Sequence, residues 1–110
     1  MKISKELLKG STAILILSQL ERSEMYGYEL VKEIEKRSEG VFELKEGTLY
    51  PLLHALESEA WVESYWSETH GRKRKYYRIT ERGLKGLQEK KKEWQTFRVA
   101  VERVVGEGMA

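Results

Sequence analysis

The chain has 110 residues and a formal net charge of +2, enough for one modest hydrophobic core and too little charge for a polycation. It contains no Cys, Asp or Asn, so all 18 of its acidic residues are Glu. This composition excludes disulfides, thiolate-held metals, Ser-His-Asp triads and paired-aspartate sites. His54 and His70 lie far apart without a third ligand, so we expect no metal, no cofactor and no enzymatic activity.

The longest strongly apolar run, Ala13 to Leu17, is too short to cross a bilayer, and the N-terminal region lacks the pattern of a signal peptide. We therefore expect a cytoplasmic protein without a membrane partner.

Helix one is predicted from about Ser4 to Glu21, and helix two from near Tyr26 to a left-handed stop at Gly40. Apolar residues cover more than one face of helix one, which indicates burial on several sides and contact with a second subunit. The core stripe of helix two comprises Leu30, Val31 and Ile34.

Helix three has the best amphipathic pattern in the chain. Its apolar residues are Leu49, Leu52, Leu53, Leu56 and Ala60. Pro51 is expected in its first turn, where a missing N–H costs little, and Thr48 is the candidate N-cap. The helix is therefore predicted to begin near Gly47 or Thr48.

A hairpin and a long helix are predicted to follow. Trp61 to Glu68 alternate as a strand, and Lys73 to Thr80 return as its partner after a turn that includes Gly71. Thr80 is the expected cap of a last helix that continues to about Val105. The fold class is thus mainly α with a two-stranded β-wing: a winged helix-turn-helix over residues 1–80 and a long C-terminal dimerisation helix over residues 81–110.

Residues 71–78 read Gly-Arg-Lys-Arg-Lys-Tyr-Tyr-Arg, five cations and two tyrosines without an acid. A basic run is often only a solvated face, but in a hairpin these long side chains can project beyond the body while Tyr77 and Ile79 pack inward. Arg78 is expected to pair with a nearby Glu. We assign the other four cations to contacts with the DNA backbone or minor groove: Arg72, Lys73, Arg74 and Lys75.

Helix three is the candidate reader of DNA, because the face near its N-terminus carries side chains able to reach base edges or phosphates. These are Lys45, Thr48, Tyr50, Pro51 and His54. The alternative is that Tyr50 and His54 only decorate a surface helix. Tyr28, at the start of helix two, either binds a phosphate or packs on helix three.

The second half of the last helix carries an apolar stripe that a monomer would leave exposed. The apolar stripe comprises Trp94, Phe97, Val101, Val104 and Val105. Leu8 and Leu15 of helix one are predicted to join it in a homodimer that presents two reading heads to a palindromic operator in double-stranded DNA. Alternatively, the stripe folds back on its own domain.

These parts together resemble the PadR family of bacterial transcriptional regulators over nearly the entire chain. The motifs that carry the resemblance are Tyr26-Gly27-Tyr28-Glu29-Leu30, Gly47 to Leu53 with Leu56-Glu57, Glu63 to Trp66, and Gly71 to Thr80. The similarity is closest to the short subfamily, in which one C-terminal helix follows the wing and packs against helix one of the partner. Such proteins typically repress transcription and release DNA when an effector binds, often a phenolic or lipophilic cationic compound.

Two residues depart from the pattern of such proteins: Ala60 stands where a glycine is common, which predicts a different helix end, and Lys73 stands where a proline is common. Trp94 matches a tryptophan that lies near the dimer axis in drug-sensing relatives. By this resemblance, Trp94 and Phe97 could line a pore for a flat aromatic or lipophilic effector, with simple dimer-core packing as the alternative.

The leading hypothesis is therefore a homodimeric DNA-binding transcriptional regulator, a repressor released by a small-molecule effector. The competing class is a winged-helix protein-interaction module without sequence-specific DNA binding.

Overall fold

The computed structural model describes residues 10–106, and within them it contains four α-helices and three β-strands. In chain order these are α1 (Thr12–Arg22), β1 (Met25–Tyr26), α2 (Gly27–Arg37), α3 (Glu46–Ser58), β2 (Val62–Thr69), β3 (Arg72–Ile79) and α4 (Glu81–Val105). The predicted order of three helices, a hairpin and a long helix is confirmed, and with it the mainly α fold with a wing. The start of the predicted helix one, with Leu8, lies outside the described residues.

One hydrophobic core joins all four helices to the sheet. The predicted stripes of α2 and α3 face it, with Leu30 and Leu49 completely buried. Tyr77 of β3 is also buried, as the hairpin pattern predicted. Other fully or almost fully buried side chains include Ile16, Leu17, Leu53, Val62 and Leu87. Since Leu87 belongs to α4, the first turns of the long helix pack into the same body as the three helices before it.

The sheet has three antiparallel strands in the order β1-β3-β2, whereas the sequence predicted only the two strands of the hairpin. The additional strand pairs Met25 with Tyr77 and Tyr26 with Tyr76. A strand of two residues is too short to show a period in the sequence, and it exists because β3 offers it an unpaired edge. The predicted turn is confirmed: His70 and Gly71 have φ values of 53° and 76°, as a two-residue hairpin turn of this hand requires.

The start of α3 differs from the prediction. The helix begins at Glu46, one turn before Pro51, because the Lys45 carbonyl accepts the N–H groups of Thr48 and Leu49 at 2.9 Å each. Lys45, not Thr48, is the N-cap, and it provides no side-chain cap. Pro51 is consequently the sixth residue of the helix, beyond its first turn, and it is tolerated on the exposed face.

The end of α3 also differs from the prediction. Ala60 has a φ of 62°, so the alanine adopts the left-handed conformation that a glycine would favour. The N–H of Trp61 donates to the Leu56 carbonyl at 2.9 Å and the N–H of Ala60 to the Glu57 carbonyl at 3.0 Å. This is a Schellman ending formed without glycine. The expectation that Ala60 would change the helix end was therefore wrong.

The long helix α4 begins and ends as predicted. The Thr80 hydroxyl accepts the N–H of Gly83 at 3.0 Å, which confirms Thr80 as the N-cap. Twenty-five residues at 1.5 Å each make the helix about 38 Å long. None of the helices within residues 10–106 is both long and apolar enough to span a membrane.

Candidate nucleic-acid interface

In the wing (β2, β3 and their turn), the lysines and the arginines of β3 lie on different faces of the sheet. Alternate residues of a strand share a face, so Lys73 and Lys75 lie on the face of the buried Tyr77, which we call the inner face. Arg72, Arg74 and Arg78 lie on the opposite, outer face. The two sets therefore have different neighbours and different freedom.

The outer face carries a row of three tyrosines, one from each strand. Tyr76 of β3 lies in the middle, with its ring centroid 5.4 Å from that of Tyr26 and 5.8 Å from that of Tyr65. The Tyr65 hydroxyl donates to the Glu24 carboxylate, and this hydrogen bond raises the pKa of Tyr65 above its ordinary value. Aromatic pairs at these distances stabilise the sheet and hold the hairpin against β1.

The outer arginines are held to different degrees. Arg78 Nε lies 2.9 Å from Glu63 Oε1, which confirms the predicted ion pair and raises the pKa of Arg78. Arg74 has its guanidinium 4.5 Å from the Tyr26 ring centroid. Within residues 10–106, neither Arg74 nor Arg72 forms an ion pair with a Glu. Their charges remain available to an anionic partner.

On the inner face the lysines lie beside aromatic rings. Lys73 Nζ is 6.0 Å from the Trp66 ring centroid, and Lys75 Nζ is 5.8 Å from that of Tyr77. Trp66 itself is 61% exposed. The sequence assigned no function to it; the only signal was its place in β2 opposite the basic run.

The exposed face of α3 carries four of its five predicted contact residues. Lys45 and Thr48 lie at the N-terminus of the helix, with Pro51 and His54 one and two turns further on, and all four side chains are exposed. The first turn also presents the N–H groups that no carbonyl of the helix can accept. This face can therefore approach a groove or a phosphate without obstruction.

Tyr50 does not belong to this exposed face, contrary to the prediction. It is half-buried, and its ring approaches Gly27 so closely that a Cβ there would collide with the Tyr50 hydroxyl. On a helix at 100° per residue, Tyr50 borders the buried Leu49 and Leu53. It therefore joins α3 to the start of α2.

Glu57 joins α3 to the inner face of the sheet. Its Oε2 atom accepts the hydroxyl of Ser64 at 2.6 Å. Burial raises the pKa of Tyr77 above its ordinary value, and the charge of Glu57 and the Tyr50 phenol add smaller effects in the same direction. The hydrogen bond between Ser64 and Glu57 thus ties the wing to α3.

Tyr28 is 57% exposed at the start of α2, so it is not buried against α3. It lines a cleft of about 400 Å³ together with Arg22, Lys32 and Arg37. Lys32 Nζ lies 5.4 Å from the Tyr28 ring centroid. Contact with a phosphate stays a prediction for this residue.

The apolar stripe of α4 lies in solvent. Val104 is 87% exposed and Phe97 63%, and the other three members of the stripe are exposed as well. Leu15 of α1 is half-buried, and Leu8 lies outside the described residues. Within residues 10–106, the stripe does not fold back on its own domain.

His54 and His70 are both exposed. No group of three or more His, Cys, Asp or Glu side chains within residues 10–106 could hold a metal ion.

In comparisons with known proteins, the family model and the similar proteins reported below are all transcriptional regulators. The model of the Transcriptional regulator PadR-like family matches residues 16–89. The chain is 30% identical over 98 residues to the transcriptional regulator YqjI of Escherichia coli, a match over 88% of this chain and 46% of that protein. This chain thus spans about half the length of YqjI.

Solved structures agree. A transcriptional regulator from Clostridium thermocellum has a TM-score of 0.81 and 31% identity, over 96% of this chain and 100% of that one. A PadR family transcription regulator from Clostridium difficile has a TM-score of 0.77 and 37% identity, over 86% of this chain and 98% of that one.

Proposed function

This chain belongs to the PadR-like family of transcriptional regulators, and from this membership we propose that it acts as a homodimeric repressor that leaves its operator when a small apolar effector binds. The family is one of DNA-binding regulators and not of enzymes. Membership therefore favours the regulator over the competing protein-interaction module. The dimer, the repression and the effector are the parts that need their own support.

The observation that supports the dimer is the exposure of the apolar stripe. When another apolar surface covers side chains such as Phe97 and Val104, their removal from water lowers the free energy by roughly 25 cal/mol per Å². A second copy of α4, related by a two-fold axis, offers the same stripe in return. We propose that residues 94–105 provide the contact, together with Leu15 of α1 and Leu8 from the partner.

Analytical ultracentrifugation of a charge variant tests the dimer. Phe97→Glu places a carboxylate in the stripe and is expected to turn the dimer into a monomer, because the charge would be buried without a partner. Thr96→Glu is the matched control, since Thr96 is exposed on the same helix but away from the stripe. A wild-type protein that sediments as a monomer at micromolar concentration would refute the proposal.

In the proposed complex, α3 enters the major groove and the wing follows the flanking backbone. Support comes from the exposed α3 face and from the arginines that lack a Glu partner within the described residues. Changing Arg72 and Arg74 together to Ala is expected to weaken binding to all sequences and to lower the slope of log K against log salt by roughly 2. Arg78→Ala is the control with a smaller effect, because Glu63 already neutralises that guanidinium. An unchanged slope in the double variant would refute the role of the wing.

Sequence reading is proposed for the exposed part of α3. His54→Ala and Thr48→Ala are expected to change the sequences that the protein selects from a random duplex library, whereas phosphate contacts carry no sequence information. Tyr50→Phe serves as the comparison, because Tyr50 is half-buried against α2 and is expected to keep the wild-type preference.

Repression and release are proposed from the aromatic members of the stripe. Trp94 is 44% exposed, and in a two-fold dimer it and Phe97 would offer flat apolar faces to a planar ligand. A panel of phenolic and lipophilic cationic compounds should contain one that quenches Trp94 emission and releases labelled operator DNA. Trp94→Phe is the control for the quenching signal.

In vitro transcription tests whether the protein is a repressor. Transcription from a footprinted promoter should fall when protein is added, and a rise would instead indicate an activator.

A further inference from the structure

Trp66 lies on the part of the wing that extends the inner face of the sheet past the body of the protein. Val62 and Ser64 precede it on the same face of β2, and Val62 is 1% exposed. Ser64 bonds to Glu57 of α3, so this face is the one that meets α3. Trp66 is the next residue outward on it, and 61% of its surface is open to solvent.

Two lysines share this face with the indole. The strand register pairs Trp66 with Lys75 and Glu68 with Lys73, and directly paired residues lie on the same face. Lys73 Nζ is 6.0 Å from the Trp66 ring centroid. Neither lysine forms an ion pair with a Glu in the described part of the chain, although Glu68 faces Lys73 across the strands. The result is an exposed apolar ring beside two lysines of the neighbouring strand: Lys75 is paired with Trp66 in the register, and Lys73 places its ammonium group near the indole.

We propose that Trp66 is a DNA-contact residue of the wing, covered by the deoxyribose edge of one strand that passes between the wing and α3. Lys73 and Lys75 then bind phosphates next to the covered sugar. The charge pattern selects this occupant, because two cations beside an apolar ring match a polymer of alternating anions and sugars. A second copy of the same wing would instead bring like charges together. The inference rests on the proposed DNA-binding function and adds a contact that supplies affinity without sequence information.

Affinity at several salt concentrations tests the contact. With a fluorescein-labelled duplex of random sequence, Trp66→Ala is expected to bind about tenfold more weakly with the wild-type salt slope, because burial of apolar surface releases no counterions. Changing Lys73 and Lys75 together to Gln should instead lower the slope. Trp66→Phe should recover most of the affinity, and thermal melting verifies that each variant is folded.

Tryptophan emission gives a second, independent readout. The wild type and Trp66→Phe share Trp61 and Trp94, so the difference between their spectra reports Trp66 alone. We expect added duplex to shift this difference spectrum to the blue. Wild-type affinity in Trp66→Ala, or a difference spectrum that DNA leaves unchanged, would overturn the inference while the proposed function stands. A shift caused by raising the protein concentration without DNA would assign the face to a second copy. If the wild type binds no duplex at low salt, both proposals fail.

Discussion

Ala60 destabilises the folded protein through its backbone conformation. Its φ of 62° brings the alanine Cβ close to the neighbouring carbonyl oxygen, at a cost of about 1–2 kcal/mol relative to glycine. Ala60→Gly is expected to raise the free energy of unfolding by about 1 kcal/mol, because the greater freedom of glycine in the unfolded chain offsets part of the gain. Urea denaturation measures the difference.

Ala55→Gly provides the matched control for this prediction. Ala55 lies within α3 and is exposed, so glycine there should lower the free energy of unfolding by about 1 kcal/mol. Two variants with the same chemical change would thus differ in sign. A loss of stability in both would show that the left-handed conformation at Ala60 carries no strain.

Tyr77 makes the stability of the protein sensitive to alkaline pH. Burial raises the pKa of Tyr77 in the folded state, whereas the phenol of the unfolded chain ionises near pH 10. The folded state therefore holds the proton more firmly. Its contribution is complete below about pH 10 and is lost as the pH rises through the folded-state pKa.

Tyr77→Phe should remove this part of the alkaline loss of stability, because phenylalanine has no hydroxyl to ionise. The measurement is the urea midpoint from about pH 8 to about pH 11, in the range where tyrosines titrate. Tyr28→Phe, at an exposed position, is expected to keep the wild-type profile. Parallel profiles for the wild type and Tyr77→Phe would contradict the prediction.

At the scale of elements, two glycines allow α4 to dock on the body. A Cβ at Gly83 would collide with the Trp61 carbonyl oxygen, and one at Gly86 would collide with the Trp61 indole. The close approach places Leu87 in the core and aligns the rest of the helix. The direction of the apolar stripe is therefore set by small residues at the opposite end of α4.

Gly83→Ala is expected to destabilise the protein by about 2 kcal/mol or more, because backbone and not a flexible side chain would have to move. Gly47→Ala is the control: Gly47 is also helical, nothing lies within 4 Å of the position of its Cβ, and alanine there should be neutral or stabilising. Differential scanning calorimetry compares the two variants. Equal melting temperatures would show that the docking is not tight at Gly83.

The predictability of each element followed the length of its pattern. The stripes of α2 and α3 span several turns, and the hairpin has two strands of eight residues around a turn with glycine, so these were predicted from sequence. Strand β1 was not, because two residues show no period and its partner is distant in the chain. The start of α3 was predicted too late for two reasons. Proline is common in the first turn of a helix, which favoured a start close to Pro51, and the actual N-cap, Lys45, has no capping side chain.

The candidate site was predicted less completely than the fold. The alternation of the hairpin strands and the helical spacing of apolar residues indicated which part of the wing and which face of α3 are exposed. Helical spacing could not decide the position of Tyr50, which lies at the border between the buried and exposed sides of the helix. Neither pattern gave a reason to single out Trp66. The exposure of that ring depends on how far the wing projects past α3, which only the packed structure defines.

At the scale of the molecule, α4 connects the body that carries the proposed DNA-binding surface to the proposed dimer contact. Its first turns belong to the body, where Lys91 also pairs with Glu21 of α1 at 3.3 Å. Its second half contributes to an elongated shape of 54 × 30 × 21 Å. Because one helix extends from the body to the stripe, a dimer formed through the stripe would fix the distance between the two copies of α3. A ligand that changed the crossing of the two α4 helices would change that distance.

A fixed distance predicts a strict dependence on the spacing of operator half-sites. Two reading heads of a two-fold dimer contact half-sites about one helical turn apart, roughly 34 Å. Inserting about 5 base pairs between the half-sites turns the second one to the far side of the duplex, and the loss of the second contact should weaken binding by about 100-fold. A gel-shift series with inserted base pairs measures this effect. Phe97→Glu is the control, because a monomer contacts one half-site and should bind all the spacings equally. If the wild type were equally indifferent to spacing, the α4 dimer would not be the form that reads DNA.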